Sequence, residues 1–266
     1  MPTSCTLTVP CCQQMSALSP LVENWIQCGN VLLDVGAAYG LNSLYALQHP
    51  KKPHVIALDC SEGHLKYLSG KAEKSLTLEE KSRLEIVYGR LPSLSSVPTS
   101  SVDSVLVSEV LHFLDGRTIE ASMREISRVL RPGGHLFISQ VSGMMRCRET
   151  GEDVDVRRLI QERQAGGEEQ EEGGSDWKGI VQCDAVFNQC MCAMKHGTLS
   201  NLPKSATFSR TGSFLHWVRP EEIRRCAESL GGWCVVSSEM RQHLGHPEPL
   251  RSCPKGSTQT HLQKRA

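Results

Sequence analysis

The sequence predicts an α/β protein with a doubly wound, mostly parallel sheet and an inserted cap or loop region after the fifth strand. Short apolar runs alternate with stretches of helical periodicity through the first half of the chain. The runs are apolar at nearly every position, which is typical of strands covered by helices on both faces. A glycine-containing turn directly follows the first run, and this is where such sheets carry their ligand sites.

Each element is supported by its own pattern. A helix is predicted over 16–27, where apolar residues recur at helical spacing. Strands are predicted over 31–35, 55–59, 84–88, 102–107, 135–141 and 233–236. Thr77 and Glu80 form a capping box, and Pro220 opens the last helix at its first position. The RPGG segment at 131–134 predicts the end of the preceding helix.

The predicted organisation has five segments. They are an N-terminal segment and helix (1–30), a parallel-sheet core (31–142), an insertion (143–212), the last helix and strand of the core (213–240), and a polar tail (241–266). The insertion contains a Gly- and Glu-rich stretch at 161–176 that has little to bury, which favours a disordered loop; binding of a protein partner is the alternative. Residues 177–214 regain aromatic side chains and predict a lid. The tail gives no strand or helix signal, which predicts an incomplete sheet edge.

Charge and hydropathy argue against several classes of protein. Lys plus Arg and Asp plus Glu both number 29, and no basic tract indicates a nucleic-acid surface. No apolar run is long enough for a membrane span. The first fifty residues contain neither Lys nor Arg, so neither a secretory nor an organellar leader is predicted. The expected location is cytoplasmic.

The 12 cysteines include no CxxC pair. Free thiols in a reducing compartment are the favoured interpretation. A metal site formed by Cys183, Cys190 and Cys192 with a histidine such as His196 is the alternative, although the spacing is not that of zinc ligands. No metal is predicted.

The segment VLLDVGAAYG at 31–40 carries the most chemical information. The first strand delivers Asp34 to the carboxyl end of the sheet, and Gly36 and Gly40 bracket the turn into the next helix. Glycine permits a tight turn and a close approach of a ligand to the backbone. Asp59 ends the second strand, where a carboxylate can accept hydrogen bonds from both hydroxyls of an adenosine ribose.

Taken together, these motifs resemble those of class I S-adenosylmethionine-dependent methyltransferases. The likeness runs over 31–141 and returns more faintly over 214–236. It rests on DVGAAYG at 34–40, Leu58-Asp59, the stretch from SVD at 101–103 to HFL at 112–114, and LRPGG at 130–134. GRLP at 89–92 and VLHFLDG at 110–116 are similar to a poorly characterised branch of that family. The resemblance implies a Rossmann-like methyltransferase fold, methyltransferase activity, and S-adenosyl-L-methionine as the cofactor.

The resemblance also implies a set of cofactor contacts. Asp34 and the turn would hold the methionine end, Asp59 the ribose, and Ser108 and Glu109 would lie under the sulfonium. The full set is Asp34, Gly36, Ala37, Ala38, Gly40, Asp59, Cys60, Arg90, Leu91, Ser108 and Glu109. Arg90 departs from the family, because an acidic residue often accepts the adenine amine there and arginine can only donate.

The methyl acceptor and the chemistry around it are less constrained. His112 is the candidate catalytic base, with a packing role as the alternative, and His216 is a second candidate. The segment after the fourth strand is Ser-Glu-Val-Leu rather than Asn/Asp-Pro-Pro-Tyr/Phe, which argues against methylation of adenine or glutamine amino groups. The absence of a basic tract and the predicted lid at 177–214 favour a small-molecule substrate.

Two other functions stay open at this point. The chain could bind S-adenosylmethionine without catalysis and act as an interaction protein through the acidic loop, which the missing seventh strand would favour. It could instead be an NAD(P)-binding Rossmann protein. That fold expects G-x-G-x-x-G, whereas this chain has Gly36-x-x-x-Gly40 and a nearby acid that would repel a pyrophosphate.

Overall fold

A computed structural model describes residues 17–159, 180–182, 214–246 and 250–266. Its helices are α1 (Val22–Gln27), α2 (Leu41–Leu47), α3 (Glu62–Ser75), α4 (Leu78–Lys81), α5 (Gly116–Val129) and α6 (Pro220–Leu230), with a 3₁₀ turn at Leu111–Phe113. Its strands are β1 (Val31–Val35), β2 (His54–Asp59), β3 (Leu84–Tyr88), β4 (Val102–Ser108), β5 (Leu130–Val141), β6 (Met144–Arg146), β7 (Asp153–Asp155), β8 (Ile180–Gln182), β9 (Phe214–His216), β10 (Trp233–Arg241) and β11 (Ser257–Lys264).

Seven strands form one sheet in the order β10-β11-β5-β4-β1-β2-β3. The five strands from β5 to β3 are parallel, and β11 is antiparallel to both of its neighbours. The predicted doubly wound, mostly parallel sheet is therefore confirmed. Because the parallel strands all point the same way, their carboxyl ends meet along one edge, where the predicted cofactor residues lie.

Both faces of the central strand β1 are buried, as its apolar run predicts. Alternate residues of β1 belong to different hydrophobic clusters: Leu32 packs with residues of α1, α2 and α3, whereas Leu33 and Val35 pack with residues of α5 and α6. A strand buried on both sides gains from every apolar side chain, at roughly 25 cal/mol per Å² removed from water. This packing fixes the orientation of β1 and the position of the turn that follows it.

Several helix boundaries follow the predicted signals. The backbone N–H of Thr77 donates to the Glu80 carboxylate at 2.7 Å, and Thr77 Oγ1 accepts from the Glu80 N–H at 3.2 Å, which completes the capping box. Pro220 begins α6, and Gly231 follows its end. The sequence placed the start of the first helix at residue 16, but α1 begins at Val22.

Strand β5 begins earlier than predicted. The RPGG segment does not separate helix and strand; it lies within β5 as an irregularity, because Val102 pairs with Leu130 whereas Ser104 pairs with His135. Gly133 takes a φ of 76° there, a left-handed conformation that glycine adopts without strain. The strand therefore enters the sheet directly from the end of α5.

The prediction that the tail lacks a strand, and that the sheet edge is incomplete, was wrong. Residues 257–264 form β11, which lies between β5 and β10. The strand is polar yet buried, because its side chains have partners: Thr258 Oγ1 donates to the Val218 carbonyl at 3.0 Å, and the hydroxyls of Thr260 and Ser238 lie 2.8 Å apart. Buried polar groups with hydrogen-bond partners leave no apolar run for sequence analysis to detect.

The described parts of the predicted insertion pack against the core. Strands β6 and β7 form a hairpin directly after β5, and β8 pairs with β9. Arg157, which follows β7, makes two buried hydrogen bonds to the Glu222 carboxylate of α6, at 2.7 and 2.9 Å. The acidic stretch at 161–176, most of the predicted lid and the cysteines at 183, 190 and 192 lie outside the described residues, so these expectations stay predictions.

Candidate functional site

The turn after β1 is tied to the end of β2. The backbone N–H groups of Gly36 and Ala37 both donate to the Leu58 carbonyl, at 2.8 and 2.9 Å. Gly36 and Gly40 have φ angles of 76° and 75°. A Cβ on Gly36 would lie 2.4 Å from Val110 Cγ2, so a side chain here would be both strained and blocked. The two glycines thus give a rigid bend whose backbone can approach a ligand closely.

Asp34 lies at the start of this bend with its carboxylate buried. The residue is 1% exposed, and the Ser43 hydroxyl donates to Oδ2 at 2.6 Å. Burial raises the pKa of Asp34 to about 6, against the lowering effect of the Ser43 hydrogen bond and with a further raising contribution from the charge of Asp59. A desolvated carboxylate beside a second carboxylate is an electrostatic environment that favours a cationic ligand.

Asp59 holds the other side of the bend. Its Oδ2 accepts the Ala38 N–H at 2.8 Å, and its Oδ1 accepts the Ser61 N–H at 2.8 Å and lies 3.2 Å from Nδ1 of His64. The first of these bonds fixes Ala38 in a left-handed conformation with a φ of 46°. A carboxylate has about four acceptor positions, so Oδ2 retains capacity for a ligand hydroxyl. The two predicted carboxylates therefore share one edge of the sheet.

The residues predicted to flank the adenine also meet at this edge. Cys60 follows Asp59 and is exposed. Burial and the Asp59 charge raise the pKa of the Cys60 thiol, and the charge of Arg90 opposes them. The Gly89 N–H donates to the Asp59 carbonyl at 3.1 Å, which brings the segment after β3 next to Cys60. Leu91, which follows Arg90, is buried. The structure thus brings Cys60, Arg90 and Leu91 together at the ends of β2 and β3.

Ser108 and Glu109 end β4, next to the bend. Glu109 has a φ of 56°, and its N–H donates to the Ser139 carbonyl at 2.7 Å. Its carboxylate Oε2 accepts the Val141 N–H at 3.1 Å, so the side chain turns towards β5. Ser108 Oγ lies 3.0 Å from Ser139 Oγ. Glu109 therefore lies on the β5 side of the carboxyl edge, away from Asp59 at the end of β2.

His112 lies in the 3₁₀ turn after β4 and is buried. Its Nδ1 lies 3.9 Å from Glu109 Oε2 and has no hydrogen-bond partner among the described residues. Burial lowers the pKa of His112 to about 4, although the Glu109 charge opposes that shift. His216, the second candidate, lies next to this turn because its Nδ1 donates to the Leu114 carbonyl at 2.9 Å. At neutral pH His112 is uncharged and able to accept a proton.

Two histidines that sequence analysis missed complete this side of the edge. His243 and His246 follow β10, and both are buried. Nε2 of His246 lies 3.2 Å from Glu109 Oε1, and the two imidazole rings stack with centroids 4.0 Å apart. The His-x-x-His motif could have identified them from the sequence, but it lies in a polar tail that has no helix or strand pattern.

Comparison with known sequences agrees with this geometry. Residues 33–138 match the family described as "Methyltransferase domain". A chloroplastic methyltransferase of Arabidopsis thaliana, itself uncharacterized, is 34% identical over 106 residues, which are 40% of this chain and 29% of that protein. The chain thus spans less than a third of the length of that relative.

Solved structures share the fold over almost the whole chain. An S-adenosylmethionine-dependent methyltransferase from Methanosarcina mazei has a TM-score of 0.61 and 17% identity, covering 93% of this chain and 98% of its own. The 1,6-didemethyltoxoflavin-N1-methyltransferase of Burkholderia thailandensis, solved with its substrate and S-adenosylhomocysteine, has a TM-score of 0.54 and 14% identity, covering 92% and 76%.

The described helices are all too short or too polar to cross a membrane. The bend and the two carboxylates lie in the region that matches the sequence family, and the sheet has the fold of the solved S-adenosylmethionine-dependent methyltransferases. Residues 33–138 are therefore a methyltransferase domain.

Proposed function

We propose that this chain transfers a methyl group from S-adenosyl-L-methionine to a small-molecule acceptor at the carboxyl edge of its sheet. The observation that carries the proposal is the position of Asp34 and Asp59 on either side of one glycine bend, with Ala38 hydrogen-bonded to Asp59. S-adenosylmethionine has an ammonium group at one end and ribose hydroxyls near the other. A pair of buried carboxylates on adjacent strands is complementary to both groups.

In this proposal the residues have distinct roles. Asp34 and the backbone of Gly36–Gly40 hold the methionine end, Asp59 accepts the ribose hydroxyls, and Cys60, Arg90 and Leu91 flank the adenine. Arg90 contacts the ring through its backbone or by stacking, because its guanidinium cannot accept a hydrogen bond. Ser108 and Glu109 lie on the side from which an acceptor approaches.

Methyl transfer needs little covalent assistance from the protein. The sulfonium is already electrophilic, so holding the acceptor atom in line with the methyl group supplies much of the acceleration. His112 is the residue placed to receive an acceptor proton or to orient an acceptor hydroxyl. Its low pKa suits accepting a hydrogen bond better than retaining a proton, so His112 acts here mainly by orienting the acceptor.

A small-molecule acceptor is supported by two observations. The chain carries 29 basic and 29 acidic residues and no basic tract, which is unlike a nucleic-acid methyltransferase. One structural neighbour is named for its action on 1,6-didemethyltoxoflavin and was solved with that compound. The non-catalytic alternative loses its main support, because the seventh strand exists as β11. The cytoplasmic location stays a prediction, and the Arabidopsis relative is chloroplastic.

The proposal is tested with two matched aspartate variants. Asp59 and Asp103 each accept two backbone N–H groups, at 2.8 Å for Asp59 and 2.9 Å for Asp103. Asp103 lies at the opposite end of the sheet, near the amino end of β4. Replacing either residue by Asn removes one carboxylate oxygen. Asp59→Asn loses one backbone hydrogen bond, because its two bonds use different oxygens, whereas Asp103→Asn can keep both backbone bonds on Oδ2 and loses the bond from Arg131. Only Asp59→Asn alters the proposed cofactor site.

Binding of S-adenosylmethionine, S-adenosylhomocysteine and NAD is measured by calorimetry for the three proteins. We expect the wild-type chain and Asp103→Asn to bind the first two ligands, and Asp59→Asn to bind them at least about tenfold more weakly, equivalent to about 1.4 kcal/mol. Binding of NAD alone, or equal weakening in both variants, would contradict the proposal. Transfer of labelled methyl groups into a small-molecule extract then separates an enzyme from a protein that only binds the cofactor.

A further inference from the structure

Glu109, His243 and His246 bring one carboxylate and two imidazoles to a single point beside the proposed acceptor side. One potential ligand atom from each residue lies within 4.8 Å of the others. Glu109 comes from the end of β4, whereas the histidines come from the segment after β10. The cluster therefore joins residues far apart in sequence.

The surroundings of this cluster favour the binding of a cation over a purely structural packing role. The Glu109 side chain is only 15% exposed, and that of His246 is 2% exposed. The two carboxylate oxygens have separate partners: Oε1 lies 3.2 Å from Nε2 of His246, and Oε2 accepts the Val141 N–H at 3.1 Å. A carboxylate that is nearly removed from water is costly unless hydrogen bonds or a cation compensate its charge.

The imidazole of His246 has a nitrogen atom available to a metal. His243 and His246 are both buried, and their rings stack with centroids 4.0 Å apart. His246 Nδ1 is buried and, within the described part of the chain, has no hydrogen-bond partner. His112, whose Nδ1 is also unpartnered there, lies 3.9 Å from the same carboxylate.

We propose that Glu109, His243 and His246 bind a divalent transition-metal ion, such as Zn²⁺, next to the methyl acceptor. Two imidazoles and one carboxylate form a ligand set that binds zinc in catalytic sites and leaves coordination positions open. The nitrogen–oxygen donor set disfavours Mg²⁺ and Ca²⁺, which prefer oxygen ligands.

The role of the ion rests on the proposed methyltransferase function. A Lewis acid at this point lowers the pKa of a hydroxyl or thiol acceptor, so that the acceptor loses its proton more readily. The acceptor proton passes to solvent, and the acceptor atom attacks the methyl carbon. The electron pair of the breaking carbon–sulfur bond stays on sulfur, which leaves as the neutral thioether of S-adenosylhomocysteine.

A second set of residues is arranged in a way that could bind a metal, and an experiment must distinguish it from the Glu109 cluster. Cys28, His135 and His261 lie together at the amino ends of the strands, with His135 Nδ1 and His261 Nε2 2.9 Å apart. This group contains a thiol, whereas the Glu109 cluster does not. Co²⁺ distinguishes the two, because a cobalt–thiolate bond adds a near-ultraviolet charge-transfer absorption that a nitrogen–oxygen site lacks.

The test uses Zn²⁺ and Co²⁺ on the chelator-treated full chain, without S-adenosylmethionine. Zn²⁺ affinity is measured by competition with a chromophoric chelator for the wild type, His243→Ala, His246→Ala and the control His54→Ala, whose imidazole is exposed at the start of β2. We expect the two cluster variants to lose one equivalent of Zn²⁺, or to bind it at least about tenfold more weakly, while His54→Ala matches the wild type. The Co²⁺ spectrum of the lost equivalent should lack the thiolate band.

Equal stoichiometry and affinity in all four proteins would overturn the proposal. If a cluster variant fails to fold, crystals of the unaltered chain soaked in Zn²⁺ decide the matter by anomalous diffraction. A peak among Glu109, His243 and His246 supports the site, and its absence at saturating Zn²⁺ rejects it. Because S-adenosylmethionine is not needed for either measurement, a chain that binds zinc but not the cofactor refutes only the proposed function, and the converse refutes only the metal site.

Discussion

Replacement of Asp34 by Asn should make the ligand-free protein more stable at neutral pH while weakening cofactor binding. The Asp34 carboxyl is almost fully buried, and its pKa is raised from 3.8 to about 6, first by burial and further by the Asp59 charge, against the Ser43 hydrogen bond. A raised carboxyl pKa means that the folded protein binds a proton more tightly than the unfolded chain does. The free energy of unfolding therefore falls as pH rises between these two pKa values.

The size of the effect follows from the shift. Each pKa unit corresponds to about 1.36 kcal/mol, so above pH 6 an ionised Asp34 lowers the free energy of unfolding by about 3 kcal/mol relative to a neutral side chain. Asn has nearly the same shape and stays neutral, and its carbonyl can still accept from Ser43. The same linkage gives a penalty of about 1 kcal/mol at pH 4.5, so the advantage of Asn should grow by about 2 kcal/mol between pH 4.5 and 7.5.

Urea unfolding followed by tryptophan fluorescence at a series of pH values measures this difference. Asp103→Asn is a control with the opposite expected sign. Hydrogen bonds from Val31, Asn30 and Arg131 outweigh burial and lower the pKa of Asp103, so removal of this carboxylate should destabilise the protein at pH 7.5. In parallel, Asp34→Asn should bind S-adenosylhomocysteine at least about tenfold more weakly. A variant that is less stable than the wild type at pH 7.5, or whose advantage does not change with pH, would refute the reasoning.

Two further predictions concern the bend and the adenine side of the site. Gly40→Ala should lower the free energy of unfolding by roughly 2 kcal/mol or more, because Gly40 has a positive φ and its added Cβ would lie 2.0 Å from Cδ1 of the buried Leu68. The control is Gly70→Ala inside α3, where an added Cβ would have no atom within 4 Å. This change should raise the free energy of unfolding by about 0.5–1 kcal/mol. Similar losses of stability in both variants would contradict the proposed strain at Gly40. Bound S-adenosylhomocysteine should slow alkylation of Cys60 severalfold, as followed by peptide mass spectrometry, and leave alkylation of Cys234, which is also exposed, unchanged. Equal protection of both thiols would show that the adenine does not lie beside Cys60.

The sequence predicted the parallel strands of the sheet well because they are mostly apolar. The bounds of β1 and β3 agree with the prediction to the residue. β1 is buried on both faces, which gives a nearly continuous apolar run, whereas β3 is an edge strand with Glu85 and Tyr88 exposed. The glycine bend was also predicted from the sequence, because the left-handed backbone and the close packing at Gly36 restrict this position to glycine. Both features depend on local sequence.

The parts that were missed depend on contacts made by distant residues. Strand β11 is polar, and its burial is stabilised by partners such as Val218 and Ser238 that no local pattern reveals. The Glu109 cluster arises in the same way, because His243 and His246 reach it only after β10 and β11 have joined the sheet. A hydrogen bond between residues 137 positions apart leaves no signal in a window of a few residues.

The order of the sheet has a consequence for how the molecule is assembled during synthesis. Strand β10 leaves the ribosome before β11, yet in the described sheet it attaches only through β11, which inserts between it and β5. The parallel strands can form while the final segment is still being translated, whereas this antiparallel edge must wait for the last strand. A truncation before residue 257 would therefore detach two strands at once and release the histidines held between them.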